Sequence, residues 1–206
     1  MRKTSTQSFQ LESIERYRQD LRFDAILRGE HLSLRSTWGL FSPKAIDDGT
    51  ELLLEHMIVG KNDRCLDLGC GYGPIGLTLA RCAPAGTTLM VDKDFVAVDY
   101  AKRNIVDNGI SNATAMLSNG FDQIGDRAFD LIASNLPAKT GKELYYLYFV
   151  DALARLRPDG RFYVVVITGL RRFIERAFLE VFGNYEKIKQ GRQYTVALAR
   201  KPDPYQ

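Results

Sequence analysis

The run Leu66-Asp67-Leu68-Gly69-Cys70-Gly71-Tyr72-Gly73 sets three glycines at alternate positions directly behind a short apolar stretch that begins at Arg64. Glycine lacks a Cβ, so such a turn adopts positive φ at little cost and lets backbone N–H groups come close to a ligand. Pro74-Ile75-Gly76-Leu77-Thr78-Leu79-Ala80 then reads as a helix with proline in its first turn. Strand, glycine turn and helix in that order form the nucleotide-binding edge of a Rossmann-like sheet; a tight turn with no ligand is the plainer alternative. The spacing is G-x-G-x-G, not the G-x-G-x-x-G of dinucleotide enzymes. A second acid, Asp92, ends the next apolar run, where a carboxylate accepts hydrogen bonds from both hydroxyls of an unmodified ribose. No arginine stands there to receive a 2′-phosphate.

Downstream of this turn, apolar runs of strand length alternate with helical patterns. The reading gives strands at 64–69, 87–92, 113–118, 129–134 and 161–167, and helices at 74–82, 95–108, 141–156 and 170–182. Two last strands, 185–190 and 193–200, are joined by Gly191-Arg192 as a hairpin. Such alternation predicts an α/β fold: a Rossmann-like, seven-stranded, mostly parallel sheet with a C-terminal antiparallel hairpin and helices on both faces. Upstream, Leu11, Ile14, Tyr17, Leu21, Ala25 and Leu27 fall near a 3.6 period and predict an amphipathic helix over 11–29, ended by Gly29. Residues 31–41 read as extended. Ser42-Pro43 gives a helix start, and Asp48 with Glu51 a restart resembling a capping box. The expected organisation is an N-terminal helix and extended segment (1–40) packed on a single domain (41–201), with a frayed tail over 202–206.

Composition excludes some classes. With 45% hydrophobic and 26% charged residues the chain reads as an ordinary globule, and no apolar run is long enough to span a bilayer. The N-terminal residues lack the apolar core of a signal peptide. Cys65, Cys70 and Cys82 are odd in number and lack C-x-x-C spacing, which fits buried free thiols in a reducing cytoplasm. With His31 and His56 the sole histidines, and neither near a cysteine in sequence, no metal site is expected. Charge is unevenly spread: residues 45–160 carry eleven Lys/Arg against sixteen Asp/Glu, whereas 1–44 carry eight against five and 161–206 nine against four. Basic ends suit contact with phosphates, and equally suit a solvated face. Monomer and homodimer remain open.

The expected fourth strand runs into Ser134-Asn135-Leu136-Pro137-Ala138-Lys139, at the edge where open α/β sheets hold their substrate crevice. Asn135 also suits a simple turn after a strand. Two more segments stand out: Phe41-Ser42-Pro43-Lys44-Ala45-Ile46-Asp47-Asp48-Gly49-Thr50, and Ser118-Asn119-Gly120-Phe121-Asp122 after the third strand. Together with Asp67, the glycines and Asp92, these segments resemble the class I S-adenosylmethionine-dependent methyltransferases. Within that class they are similar to the methyltransferase small domain family, over about residues 33–201.

The resemblance implies S-adenosylmethionine as cofactor, with Phe41 and Thr50 at its methionine end and Asp67, Gly69, Cys70, Gly71 and Gly73 at the turn. Asp92 would meet the ribose and Asn119 the adenine amino group, Lys93 and Gly120 would also contact the cofactor, and Asn135 would border the cofactor as well as the acceptor. It implies transfer to an exocyclic amino group. The Asn135 amide oxygen and the Leu136 carbonyl would accept the two hydrogens of a planar –NH₂, in a turn closed by Pro137, so that alignment supplies most of the catalysis. Characterised members of the family include guanine-N2 methyltransferases of ribosomal RNA, so RNA is the expected partner.

Here Leu136 stands where amino methyltransferases usually have a first proline, which relaxes the turn. Ala138 stands where they have an aromatic; Trp38, Phe41, Tyr72 or Tyr145 could replace that surface. Ala138, Lys139, Arg171 and Arg172 are the expected substrate contacts. A protein glutamine amide or a small-molecule amine is the alternative acceptor, and a non-catalytic binding module the alternative from another class.

Overall fold

A computed structural model describes residues 14–203. Its centre is a seven-stranded sheet formed by β3 (Arg64–Leu68), β4 (Thr87–Asp92), β5 (Ala113–Leu117), β6 (Phe129–Asn135), β7 (Leu156–Ile167), β8 (Glu186–Gln190) and β9 (Tyr194–Arg200). The spatial order is β5-β4-β3-β6-β7-β9-β8. The first five of these pair in parallel, while β9 runs antiparallel to both β7 and β8. Residues 64 to 200 therefore fold as their alternation predicts. From β3 the chain winds outward through β4 and β5, then returns to the other side of β3 to begin β6. The carboxyl ends of β3 and β6 flank this switch point, the place where such sheets open a crevice.

Helices α1 (Asp48–His56), α2 (Pro74–Cys82), α3 (Phe95–Asp107), α4 (Lys142–Arg155) and α5 (Arg171–Phe182) cover the sheet. Two apolar cores form, one on each face. Leu53, Leu77, Leu79 and Met90 belong to the first, and Leu66, Phe149, Phe162 and Phe178 to the second. Near-continuous apolar runs in β3, β4 and β6 follow from burial on both faces.

The N-terminal expectation requires correction. Residues 14–18 are helical, but β1 (Leu21–Leu27) and β2 (Glu30–Ser36) form an antiparallel hairpin across the two residues Arg28 and Gly29, at φ 55° and 83°. Positive φ at both centres is what a two-residue hairpin needs to match strand twist. Leu21, Phe23, Ala25 and Leu27 alternate inward along β1. Leu21, Ala25 and Leu27 fall near a 3.6 period on paper with Leu11, Ile14 and Tyr17, but they share the inward face of a strand of period two. Residues 11–13 of the expected helix lie outside the described residues, as do 204–206 of the expected tail. The hairpin shares the first core through Leu27, Leu32 and Leu34.

The restart also moves by one residue. Asp47, not Asp48, caps α1, accepting hydrogen bonds from Gly49 N and Thr50 N. Among the described residues, no helix is long and apolar enough to cross a membrane, and no group of three potential metal ligands occurs. Cys65 and Cys70 are buried; Cys82, at the end of α2, is partly exposed.

Candidate active site

The two motifs lie side by side because β3 and β6 are neighbours, with Asp67 paired to Ala133. Ser134 Oγ donates to Leu68 O across the gap at 2.6 Å. Beyond these strand ends lies a cavity of about 480 Å³, within the range of small-molecule sites. The glycine turn forms one wall. Gly69 N and Cys70 N both donate to Val91 O at 2.9 Å, which ties the turn to the end of β4. Gly69 and Gly71 hold φ of 76° and 56°, and a Cβ on either would meet nothing within 4 Å. Both line the cavity, so bare backbone faces open space there. Gly76 serves differently: a Cβ would sit 2.4 Å from Met90 Cγ, so its absence lets α2 pack close on β4.

Asp92 lines the same wall. Its Oδ2 accepts from Gly71 N and its Oδ1 from Asp94 N, both at 2.9 Å. Each carboxylate oxygen keeps acceptor capacity beyond these bonds. Asp67 does not line the cavity, which corrects its expected direct contact. It is fully buried beneath the turn, with Oδ2 accepting from Gly76 N at 2.7 Å and Oδ1 without a partner among the described residues. Burial pushes its carboxyl up to about 7; the Gly76 bond pulls it down and the charge of Asp92 adds to the rise.

The opposite wall is the Asn135 turn. Asn135 Nδ2 donates to Asp47 Oδ2 at 2.9 Å and to Thr50 Oγ1 at 3.0 Å. A carboxylate only accepts, so the amide nitrogen must face Asp47 and the amide oxygen faces away from it. That oxygen takes no bond from the described residues. Leu136 N donates to Val165 O at 3.0 Å and its side chain is buried in the second core. The replacement of proline therefore pins the turn through a bond that proline cannot make, and does not relax it. The Pro137 carbonyl accepts from the Tyr145 hydroxyl. Tyr194, on β9, closes the site from a third side and donates to Asp47 Oδ1 at 2.8 Å. Burial, followed by that bond, pushes the Tyr194 hydroxyl up to about 12.

Of the residues expected from sequence, the cavity brings together Phe41, Thr50, Gly69, Cys70, Gly71, Asp92, Lys93, Gly120, Asn135, Leu136, Pro137, Ala138 and Lys139. Gly73, Asn119, Arg171 and Arg172 stand off it. Gly73 caps α2 behind the turn. Asn119 turns its amide to Asp122 Oδ2 at 3.1 Å. Arg171 pairs with Gln190, and Arg172 belongs to a separate surface depression with Glu175 and Arg176. Tyr72 and Tyr145 are buried and cannot replace the missing aromatic; Phe41 is exposed at the cavity wall. Sequence reasoning missed Tyr194, which carried no local motif, took Tyr148 for a core residue because it falls at helical spacing with Tyr145 and Phe149, and misjudged Asp47, hidden beside a second aspartate.

A glycine turn and the strand-end acid Asp92 face an asparagine turn across the switch point of the sheet, the arrangement expected of a Rossmann-like methyltransferase. The profile of the methyltransferase small domain matches residues 31–198, and the chain belongs to that family, as an S-adenosylmethionine-dependent methyltransferase. The Bacillus subtilis protein YbxB, described as uncharacterised, is 30% identical over 85% of this chain and 89% of its own length. Ribosomal RNA small subunit methyltransferase C of Actinobacillus pleuropneumoniae is 30% identical over 93% of this chain and 59% of its own. Among solved structures, the Thermus thermophilus 16S rRNA N2 G1207 methyltransferase RsmC, in complex with AdoMet and guanosine, aligns with a TM-score of 0.79. It is 28% identical, over 88% of this chain and 50% of that one. The chain thus spans about half the length of its rRNA-methylating relatives. The residues fit the cofactor: the bare glycine wall is a cradle that any Cβ would fill, and Asp92 offers paired acceptors beside it.

Proposed function

We propose that this chain transfers a methyl group from S-adenosylmethionine to an exocyclic amino nitrogen, and that the acceptor is guanine N2 in ribosomal or other structured RNA. The observation that carries the reading is the orientation of Asn135. Both amide hydrogens are taken by Asp47 and Thr50, so the side chain offers an oxygen acceptor to the cavity. An acceptor site selects a group that donates hydrogens, as a planar –NH₂ does. The rRNA-methylating relatives, one solved with guanosine, support the choice of base.

When bound, the cofactor supplies an activated methyl on sulfonium. Gly69, Cys70, Gly71, Lys93 and Gly120 would hold it along one wall, with Phe41 and Thr50 beside them and Asp92 receiving its ribose hydroxyls. Asp67 and Gly73 would shape the turn from beneath. Asn135 Oδ1 and the Leu136 carbonyl would accept the two acceptor N–H bonds, which turns the nitrogen lone pair away from both. Pro137, held through Tyr145, keeps that carbonyl in register. No side chain has to act as a strong base, because alignment supplies the rate. Lys139 and Ala138 would border the acceptor; Arg171 and Arg172, off the cavity, would reach only the flanking phosphates of an extended RNA. Such an acceptor implies a cytoplasmic site of action.

One observation favours a second reading, a glutamine amide or small amine: Ala138 leaves no stacking surface at its position. The deciding experiment uses methyl-labelled S-adenosylmethionine with RNA, protein and small-molecule fractions from a host lacking this protein. Label should enter RNA, and Asn135→Ala should lower it by roughly 100-fold while cofactor affinity stays near wild type. Label confined to protein or small molecules would promote the second reading. Bound cofactor with no label in any fraction would leave a binding module.

A further inference from the structure

We infer that Asp47 is a positioning residue for the transfer, fixing the polarity of the Asn135 amide; the inference rests on the amino-transfer reading above. Asp47 Oδ2 accepts three bonds, from Gly49 N at 2.9 Å, Thr50 N at 3.2 Å and Asn135 Nδ2 at 2.9 Å. Its Oδ1 accepts from the Tyr194 hydroxyl. The carboxylate is therefore gripped by the start of α1, the end of β6 and the start of β9.

Packing is tight where the carboxylate meets the start of α1. A Cβ at Gly49 would lie 2.8 Å from Asp47 Oδ2 and 2.8 Å from Tyr194 Cδ1, so this corner is filled to contact. Turning the Asn135 amide over would press its oxygen against a carboxylate oxygen and leave Oδ2 without that donor. Reversal is thus opposed by charge and by a lost bond together. Thr50, expected at the methionine end of the cofactor, also takes the second amide hydrogen and completes the grip. The consequence reaches the substrate: with the amide oxygen held outward, the site accepts hydrogen donors and disfavours a carbonyl or carboxylate in the same place.

Two variants separate this role from helix capping. Serine is as good an N-cap as aspartate but too short to hold Asn135 and Tyr194. Asparagine keeps the shape, with its oxygen towards Asn135 and its –NH₂ towards the Tyr194 oxygen. On RNA from the deficient host at saturating labelled cofactor, Asp47→Ser should lower kcat by roughly 100-fold, and Asp47→Asn should recover most of it. Affinity for S-adenosylhomocysteine, measured by calorimetry, should not move. In an Asn135→Ala background, Asp47→Ser should add no further loss.

A wild-type kcat for Asp47→Ser in an enzyme that needs Asn135 would overturn the clamp alone. Parallel loss of kcat and cofactor affinity would make Asp47 a structural residue, and would also overturn it. Full activity of Asn135→Ala would instead remove the amino-transfer reading beneath both. If Asp47→Ser does not fold, Tyr194→Phe keeps the cap and frees one carboxylate oxygen; an unchanged kcat there would count against the clamp.

Discussion

Asp67 carries a conflict that its position in the chain conceals. The acid ahead of the glycines reads as a ligand contact, yet it is fully buried, with one oxygen lacking a partner among the described residues. Its ordinary value of 3.8 rises to about 7 in the fold, so near pH 5 it is neutral when folded and charged when unfolded. The folded chain then binds more protons, and stability must fall as pH rises through this window. Its contribution is fully present below about pH 4 and is lost by about pH 7. Urea midpoints measured between pH 4.5 and 7.5 should show wild type losing up to about 1.4 kcal/mol per pH unit from this group. Asp67→Asn should remove that slope; an unchanged slope would mean that Asp67 is not the titrating group. The contrast with Asn135 shows what a sequence reveals at this scale. Asn135 and Asp92 were legible because each ends a strand at the sheet's open edge. Asp67, inside the strand, could be located, but its burial could not. Asp47 was obscured because Asp48 and Glu51 fit a capping pattern equally well.

At the scale of elements, the β/α alternation after residue 64 was legible because strands buried on both faces leave long apolar runs. The N-terminal hairpin was not, since Arg28 occupies a left-handed position that sequence rarely assigns to arginine. Its guanidinium compensates by donating to Leu54 O and Met57 O, at the carbonyl end of α1. The hairpin is held more firmly along its other edge. Asn104 Oδ1 accepts from Arg35 N, and its Nδ2 donates to Arg35 O and Tyr72 O. One helical turn on, Asn108 does the same for Ser33 N and Ser33 O. Residues four apart on a helix rise about 6 Å, close to the repeat of residues two apart on a strand. The pair of asparagines on α3 therefore mimics a neighbouring strand and closes the exposed edge of β2. Asn104 is fully buried, so Asn104→Ala strands three backbone groups and should cost about 3 kcal/mol. Asn108→Ala, at a solvent-exposed contact, should cost about 1 kcal/mol or less. Urea unfolding would measure both; equal losses would mean that the strand mimicry contributes nothing through Asn104's burial.

At the scale of the whole molecule, the cavity is walled by segments drawn from most of the chain: the loop before α1, the turns after β3, β4, β5 and β6, and the start of β9. No short piece of the chain holds the site, so cofactor that binds the folded protein is linked to global unfolding and not to a local opening. At cofactor one hundred times its Kd the added stability is about 2.7 kcal/mol. A chain of this size gains roughly 2–4 °C per kcal/mol, so thermal unfolding should move up by roughly 5–10 °C as S-adenosylmethionine saturates. The variants divide along the two walls of the cavity. Asp92→Ala removes the acceptors on the glycine side, together with the bond to Gly71, and should abolish most of the shift relative to its own cofactor-free midpoint. Asn135→Ala, on the acceptor wall, should keep nearly all of it while losing transfer. A scan of the three proteins with increasing cofactor separates binding from chemistry before any acceptor is known. If the Asp92 variant shifted as far as wild type, the ribose role of that carboxylate would fall. If the Asn135 variant lost the shift, its amide would belong to cofactor binding and the division of labour between the walls would be wrong.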